Sequence, residues 1–136
     1  VLDGLCTLLR GQSFAGVKGA YAVNASEDSP RPQILVSRSG GDGNDCFDPN
    51  DGSLINTEAD FVVRDTNAIR CGAIADAVVA FLRDCWPVEI TCVSGNREIV
   101  WVSCTEPVDD GQSATDGSDK WDITSTFAAT IQHTPA

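Results

Sequence analysis

Apolar residues recur along this chain at two different periods, and the switches between them mark out the elements. Leu2, Leu5, Cys6 and Leu9 share one helical stripe over residues 1–10, with Gly11 as a candidate C-cap. Residues 11–33 read as irregular, because Pro30-Arg31-Pro32 excludes helix. Ile34-Leu35-Val36-Ser37-Arg38 reads as a first strand. A long acidic loop follows over 39–57, dense in glycine, proline and Asx residues. Ala59, Phe61 and Val63 then alternate with Asp60, Val62 and Arg64, the pattern of a half-buried strand.

The clearest helix comes next. Asp65-Thr66-Asn67 supplies cap candidates, and Ile69, Ile74, Val78, Phe81, Leu82 and Cys85 recur at helical spacing until Trp86-Pro87 stops them. Val88–Val93 and Glu98–Cys104 flank Ser94-Gly95-Asn96-Arg97, a hairpin signal. With Gly95-Asn96 as a two-residue loop, Val88, Ile90, Cys92, Ile99 and Trp101 share the core face, while Cys92 and Cys104 point to opposite faces. Residues 107–120 read as a second polar loop. From Trp121, Ile123, Ser125, Phe127, Ala129 and Ile131 face one way and Thr124, Thr126, Ala128, Thr130 and Gln132 the other. That is a long strand packed on one side only.

The order α, β, loop, β, α, β-hairpin, loop, β predicts an α+β fold in one domain, 1–136. It is a mainly antiparallel β-sheet with two helices packed on one face and long loops between strands. Phe61, Phe81, Trp101 and Phe127 are expected in the core, whereas Trp86 and Trp121 stand at element ends and are interface candidates. A chain opening Val1-Leu2-Asp3 suits an initiator methionine already removed, so 1–136 is expected to be the whole mature protein. No signal peptide and no apolar run near the roughly 20 residues of a membrane span is visible.

Charge narrows the function more than composition does. Acidic residues outnumber basic ones 20 to 9, a formal net charge of −11, and the basic residues form no run. Duplex binding draws its affinity from Lys and Arg displacing counterions, so direct binding to DNA is not expected. The six cysteines, at spacings of 40, 25, 14, 7 and 12, match no zinc or iron–sulfur pattern and are expected to be reduced, buried thiols. His133, the single histidine, lies three residues from the end and is expected exposed and non-catalytic. There is no G-x-S-x-G elbow and no phosphate loop; the paired carboxylates are read as lying almost entirely in the two loops, where turn chemistry explains them. Segment 42–52 has no calcium-loop spacing. No catalytic residue, cofactor or metal is expected, and the chain is not read as an enzyme.

Several segments together resemble the tail-terminator (tail-completion) family of long-tailed bacteriophages. They are the opening helix Leu2–Arg10, Pro32-Gln33-Ile34-Leu35-Val36-Ser37-Arg38 before a glycine-rich loop, the strand Ala59–Arg64, the helix Ala73–Leu82, and Asp119–Gln132. The resemblance implies a structural virion protein, assembled in the host cytoplasm. Its hexameric ring stops the tail tube, joins it to the head or neck, and lets DNA pass through the lumen without specific binding. Its partners are then other copies of itself, the tail-tube protein and a neck or head–tail connector protein, with no membrane. Candidate protein-contact residues are Asp109, Asp110, Asp116, Asp119, Trp121, Thr124, Thr126 and Thr130, with loops 39–57 and 107–120.

Other readings differ by partner. Another neck or head–tail connector protein would not co-assemble with tube protein. An acidic α+β binding module or small enzyme predicts a concave pocket and a stable monomer. A disulfide-stabilised secreted domain predicts fewer than six free thiols on denaturation.

Overall fold

The computed structural model describes residues 1–12, 14, 19–21, 31–41, 55–84, 87–114 and 121–136; Ala20, Tyr21, 111–114, Trp121 and Asp122 are described by backbone alone. The elements in chain order are α1 (Leu2–Arg10), β1 (Gly19–Tyr21), β2 (Gln33–Gly40), β3 (Ile55–Asp65), α2 (Ala68–Asp84), β4 (Val88–Thr91), β5 (Arg97–Cys104), β6 (Val108–Ala114) and β7 (Trp121–Pro135). The strands make one sheet in the order β1-β2-β3-β7-β5-β4, with β6 also paired to β7. Every pairing is antiparallel except β1 with β2. The fold is α+β, with both helices on one face of a mainly antiparallel sheet.

Period two on β3 and β7 builds the core. Ala59, Phe61 and Val63 are fully buried, and they lie opposite Ala129, Phe127 and Ser125 of β7. Ile34 and Val36 of β2, Val100 and Val102 of β5 and Ile90 of β4 extend the same apolar face. Leu2, Leu5, Cys6 and Leu9 of α1 cover one part of it, and Cys71, Ile74, Ala75, Val78, Val79 and Leu82 of α2 another. Burying a side chain of this size is worth about 1.5–3 kcal/mol, so the face with most of these residues decides where the helices sit.

The structure corrects several expectations. Ile69 is off the helical stripe and 87% exposed; the stripe starts instead at Cys71 and runs through Ile74, Ala75, Val78 and Val79 to Leu82. Phe81 is only partly buried, its ring edge-on to Phe14 at 5.7 Å. Cys85 and Trp86 lie outside the described residues. A short strand, β1, falls inside the segment expected to be irregular. Strand β3 begins at Ile55, inside the expected loop 39–57, of which 42–54 lie outside the described residues.

The β4–β5 hairpin turns differently from the expected two-residue loop. Cys92 N–H bonds to Asn96 O and Gly95 N–H to Cys92 O, both at 2.8 Å, and Gly95 has φ +90°. Val93-Ser94-Gly95 is therefore a three-residue loop closed by a left-handed glycine. Val88 then pairs with Val100 and Ile90 with Glu98. An odd register change turns every side chain over. Val100 and Val102 enter the core, while Ile99 and Trp101 move to the other face and are only partly buried. Cys92 and Cys104 consequently share a side of the sheet, yet stand at opposite ends of β5, roughly 26 Å apart at about 3.3 Å per residue, far beyond disulfide reach. The four described cysteines Cys6, Cys71, Cys92 and Cys104 are free.

Within the expected polar loop 107–120, Val108–Ala114 form strand β6, and 115–120 lie outside the described residues. Strand β6 resumes the line of β5 along the same edge of β7. Between Cys104↔Ala129 and Val108↔Thr126 the β5–β6 side spends four residues against three. A second extra residue follows between Asp109 and Gln112. Pro107, with no N–H to offer, sits at the first of these breaks.

Candidate contact surface

The helices leave the other face of the sheet uncovered by any described element, and β7 runs along its middle. Thr124, Thr126 and Thr130 stand on this face, each partly buried, opposite Arg64, Val62 and Glu58 of β3; Ala128 lies opposite Asp60. Threonine suits such a row, because its branched carbon packs on the pleat while its hydroxyl faces outward. The face is therefore a ladder of hydroxyls and carboxylates, with Arg64 at one end and a few apolar positions.

Asp109 and Asp110 are neighbours on β6, and alternation sends them to opposite sides. Asp110 Oδ2 accepts from Thr126 Oγ1 at 2.9 Å on the open face. Asp109 Oδ1 accepts from Ser125 Oγ, and Ser125 Oγ in turn lies 3.7 Å from the buried Cys71 Sγ. Asp109 thus ties β6 to β7 and to the first turns of α2. Of the other sequence-chosen residues, Asp116 and Asp119 lie outside the described residues, and Trp121 opens β7 opposite Ala114 with only its backbone described. The structure brings Asp110, Thr124, Thr126 and Thr130 onto one surface and turns Asp109 away from it.

The interruption between β5 and β6 opens a groove across this face. One end, about 320 Å³, is lined by Ser39, Glu58, Ser103 and Thr130 among others. The other, about 420 Å³, is lined by Asp60, Val62, Glu106, Val108 and Thr126 among others, and the two ends share Thr105 and Ala128. Arg83 at the end of α2 donates to Glu106 at 2.6 Å and pins the connecting segment. Val108 is 60% exposed here. The groove offers hydroxyl and carboxylate acceptors beside an apolar floor, a surface suited to donors and to protein contact.

Two titratable residues, Asp65 and His133, are buried on the core side. Asp65 is fully buried at the end of β3, where it accepts from Arg70 Nη2 at 2.8 Å, from Arg70 Nε and from Thr66 N–H at 2.7 Å. Burial pushes its carboxyl up, but these bonds outweigh that and hold it below its usual value. Asn67 caps α2 by accepting from Arg70 N–H at 3.0 Å, as the cap candidates implied. His133, expected exposed, is 6% exposed, with Nε2 3.1 Å from Thr57 Oγ1. Period two contained the signal, since His133 has the parity of Phe127, Ala129 and Ile131.

Burial pushes the Cys6 and Cys104 thiols up to about 11, and raises Cys71 as well. They are protonated near neutral pH and unsuited to nucleophilic attack. Among the described residues, no group of three or more His, Cys, Asp or Glu side chains is placed to hold a metal, and no helix is long and apolar enough to cross a membrane. No protein-family model and no curated protein matches this chain.

Proposed function

We propose that this protein is a tail terminator of a long-tailed phage: a non-catalytic virion protein whose copies close into a ring on the tail tube and present a new surface to the neck. The reading rests on the resemblance of the sequence segments. The observation that supports it best is the uncovered sheet face, where Thr124, Thr126 and Thr130 run beside Glu58 and Asp60 of β3 and Asp110 accepts from Thr126. Such a face has the mixed polarity of a protein contact, and a ring is a heterologous contact whose rotation closes. A formal charge of −11 suits a lumen through which DNA slides without sticking.

The deciding experiment is electron microscopy of the purified protein at high concentration, with and without the tail-tube protein. Rings, or caps on tube ends, are the expected outcome. Monomers that ignore tube ends would remove the reading. The groove along the open face favours a second reading, an acidic α+β module that binds a basic partner as a monomer. Charge reversal at Glu58 and Asp60 separates the two, since a monomeric module would lose its partner with no ring to lose.

A further inference from the structure

His133 is built into the meeting point of three strands. Its backbone pairs with Ile55 of β3 on one side and with Val100 of β5 on the other, near the end of β7. Its ring points to the core face, where the side chain is 8% exposed. Nε2 meets Thr57 Oγ1 at 3.1 Å, and Nδ1 faces Glu98 Oε2 at 3.8 Å. Both Nδ1 and Oε2 are buried without a hydrogen-bond partner. Two unpartnered atoms facing one another define where the ring proton belongs. With the hydrogen on Nδ1 it points at Glu98, and Thr57 donates its hydroxyl hydrogen to Nε2.

We propose that Thr57, His133 and Glu98 form a proton-operated latch on the end of β7, shut while the imidazole is neutral and loosened when it takes up a second proton. That proton comes from solvent and lands on Nε2, the nitrogen that Thr57 donates to. Two donors then face each other, so the threonine hydroxyl must rotate and accept instead. The new positive charge lies in an enclosed site. Glu98 on β5 is the charge that favours it; Arg38 on β2 and the amino group of Val1 beside α1 oppose it. Burial is the largest influence and, with Arg38 and Val1, outweighs Glu98, leaving His133 below its ordinary value of 6.5. The folded chain therefore binds this proton less readily than the unfolded chain. The stabilisation is complete above the unfolded value and is lost as pH falls through the folded one. The tie released is the one holding the end of β7 to β3, through His133, and to β5, through Pro135. This inference is independent of ring formation.

The chain has one histidine, so an untagged sample gives a single imidazole signal. Its NMR titration should have a midpoint below 6.5, and Glu98→Gln, which removes the favouring charge, should move the midpoint lower still. Amide protection over 131–135 should fall between roughly pH 7.5 and pH 5 in the native protein. It should stay level in His133→Gln. An ordinary midpoint that Glu98→Gln leaves unchanged would overturn the latch, as would equal loss of protection with and without the histidine. If His133→Gln does not fold, the titrations of the native protein and Glu98→Gln decide the question by themselves.

Discussion

Phe61 of β3 and Phe127 of β7 lie directly opposite in the ladder, and their rings stack at 4.8 Å with planes 10° apart. Two antiparallel strands carry their alternation in phase only if such a pair lands on one face, so this contact locks the register of the sheet's centre. Phe61 is fully buried and Phe127 is 4% exposed. Phe127→Ala should cost about 3–5 kcal/mol in denaturant unfolding, and Phe127→Leu clearly less. A loss under 1 kcal/mol for the alanine variant would mean that the pair is not central to the core.

The Asp65–Arg70 fork supplies a separate dependence on acid. Because the folded carboxyl titrates below its usual value, its contribution is complete above the unfolded value near 4 and is lost as pH falls through the folded one. Asp65→Asn should therefore lower the thermal midpoint clearly near neutral pH and much less near pH 2. Melting curves at the two pH values provide the check; an equal deficit at both would show that the carboxylate's charge is not what matters.

Two glycines at positive φ should respond unequally to alanine. Gly95, at φ +90°, has nothing within 4 Å of an added Cβ, so Gly95→Ala carries backbone strain alone, about 1 kcal/mol. At Gly41, φ +138°, the added carbon would collide with Asn56 O of the neighbouring backbone. Gly41→Ala should be the more destabilising of the two in chemical denaturation, and the reverse order would contradict the described course of β2 into residue 41.

Thiol chemistry should follow burial. With Cys6 and Cys104 pushed up to about 11, a thiol reagent at mildly alkaline pH should label both slowly in the native protein. Partly exposed Cys92 should react first among the four described thiols. In denaturant all six cysteines should react, and a count of four or fewer would reveal a disulfide.

Much of the candidate surface was legible in the sequence, for one reason. Alternation is a local property, so the Thr124, Thr126 and Thr130 face of β7 and the Ala59, Phe61 and Val63 face of β3 can be read from spacing alone. The helical stripes of α1 and of α2 from Ile74 to Leu82 follow from the same kind of count. What spacing could not supply was pairing. Asp109-Asp110-Gly111 has poor strand propensity and reads as a turn; it becomes a strand because β7 offers a ladder edge and Ser125 and Thr126 supply hydroxyls to the two carboxylates.

The sequence by itself determined the class of fold, the inward faces of α1, β3 and β7 and the acidic character of the whole, because each depends on residue type and local period. Tertiary structure decided three other things. The turn at Val93-Ser94-Gly95 chose Val100 and Val102 over Ile99 and Trp101 for the core, since an odd register change inverts a strand. The β6–β7 pairing sent Asp109 toward Ser125 and left Asp110 on the open face. And the meeting of β3, β5 and β7 buried His133 against Thr57 and Glu98, residues 76 and 35 positions away in the chain. Such contacts carry no local signature; only the assembled sheet, with its register fixed, brings them together.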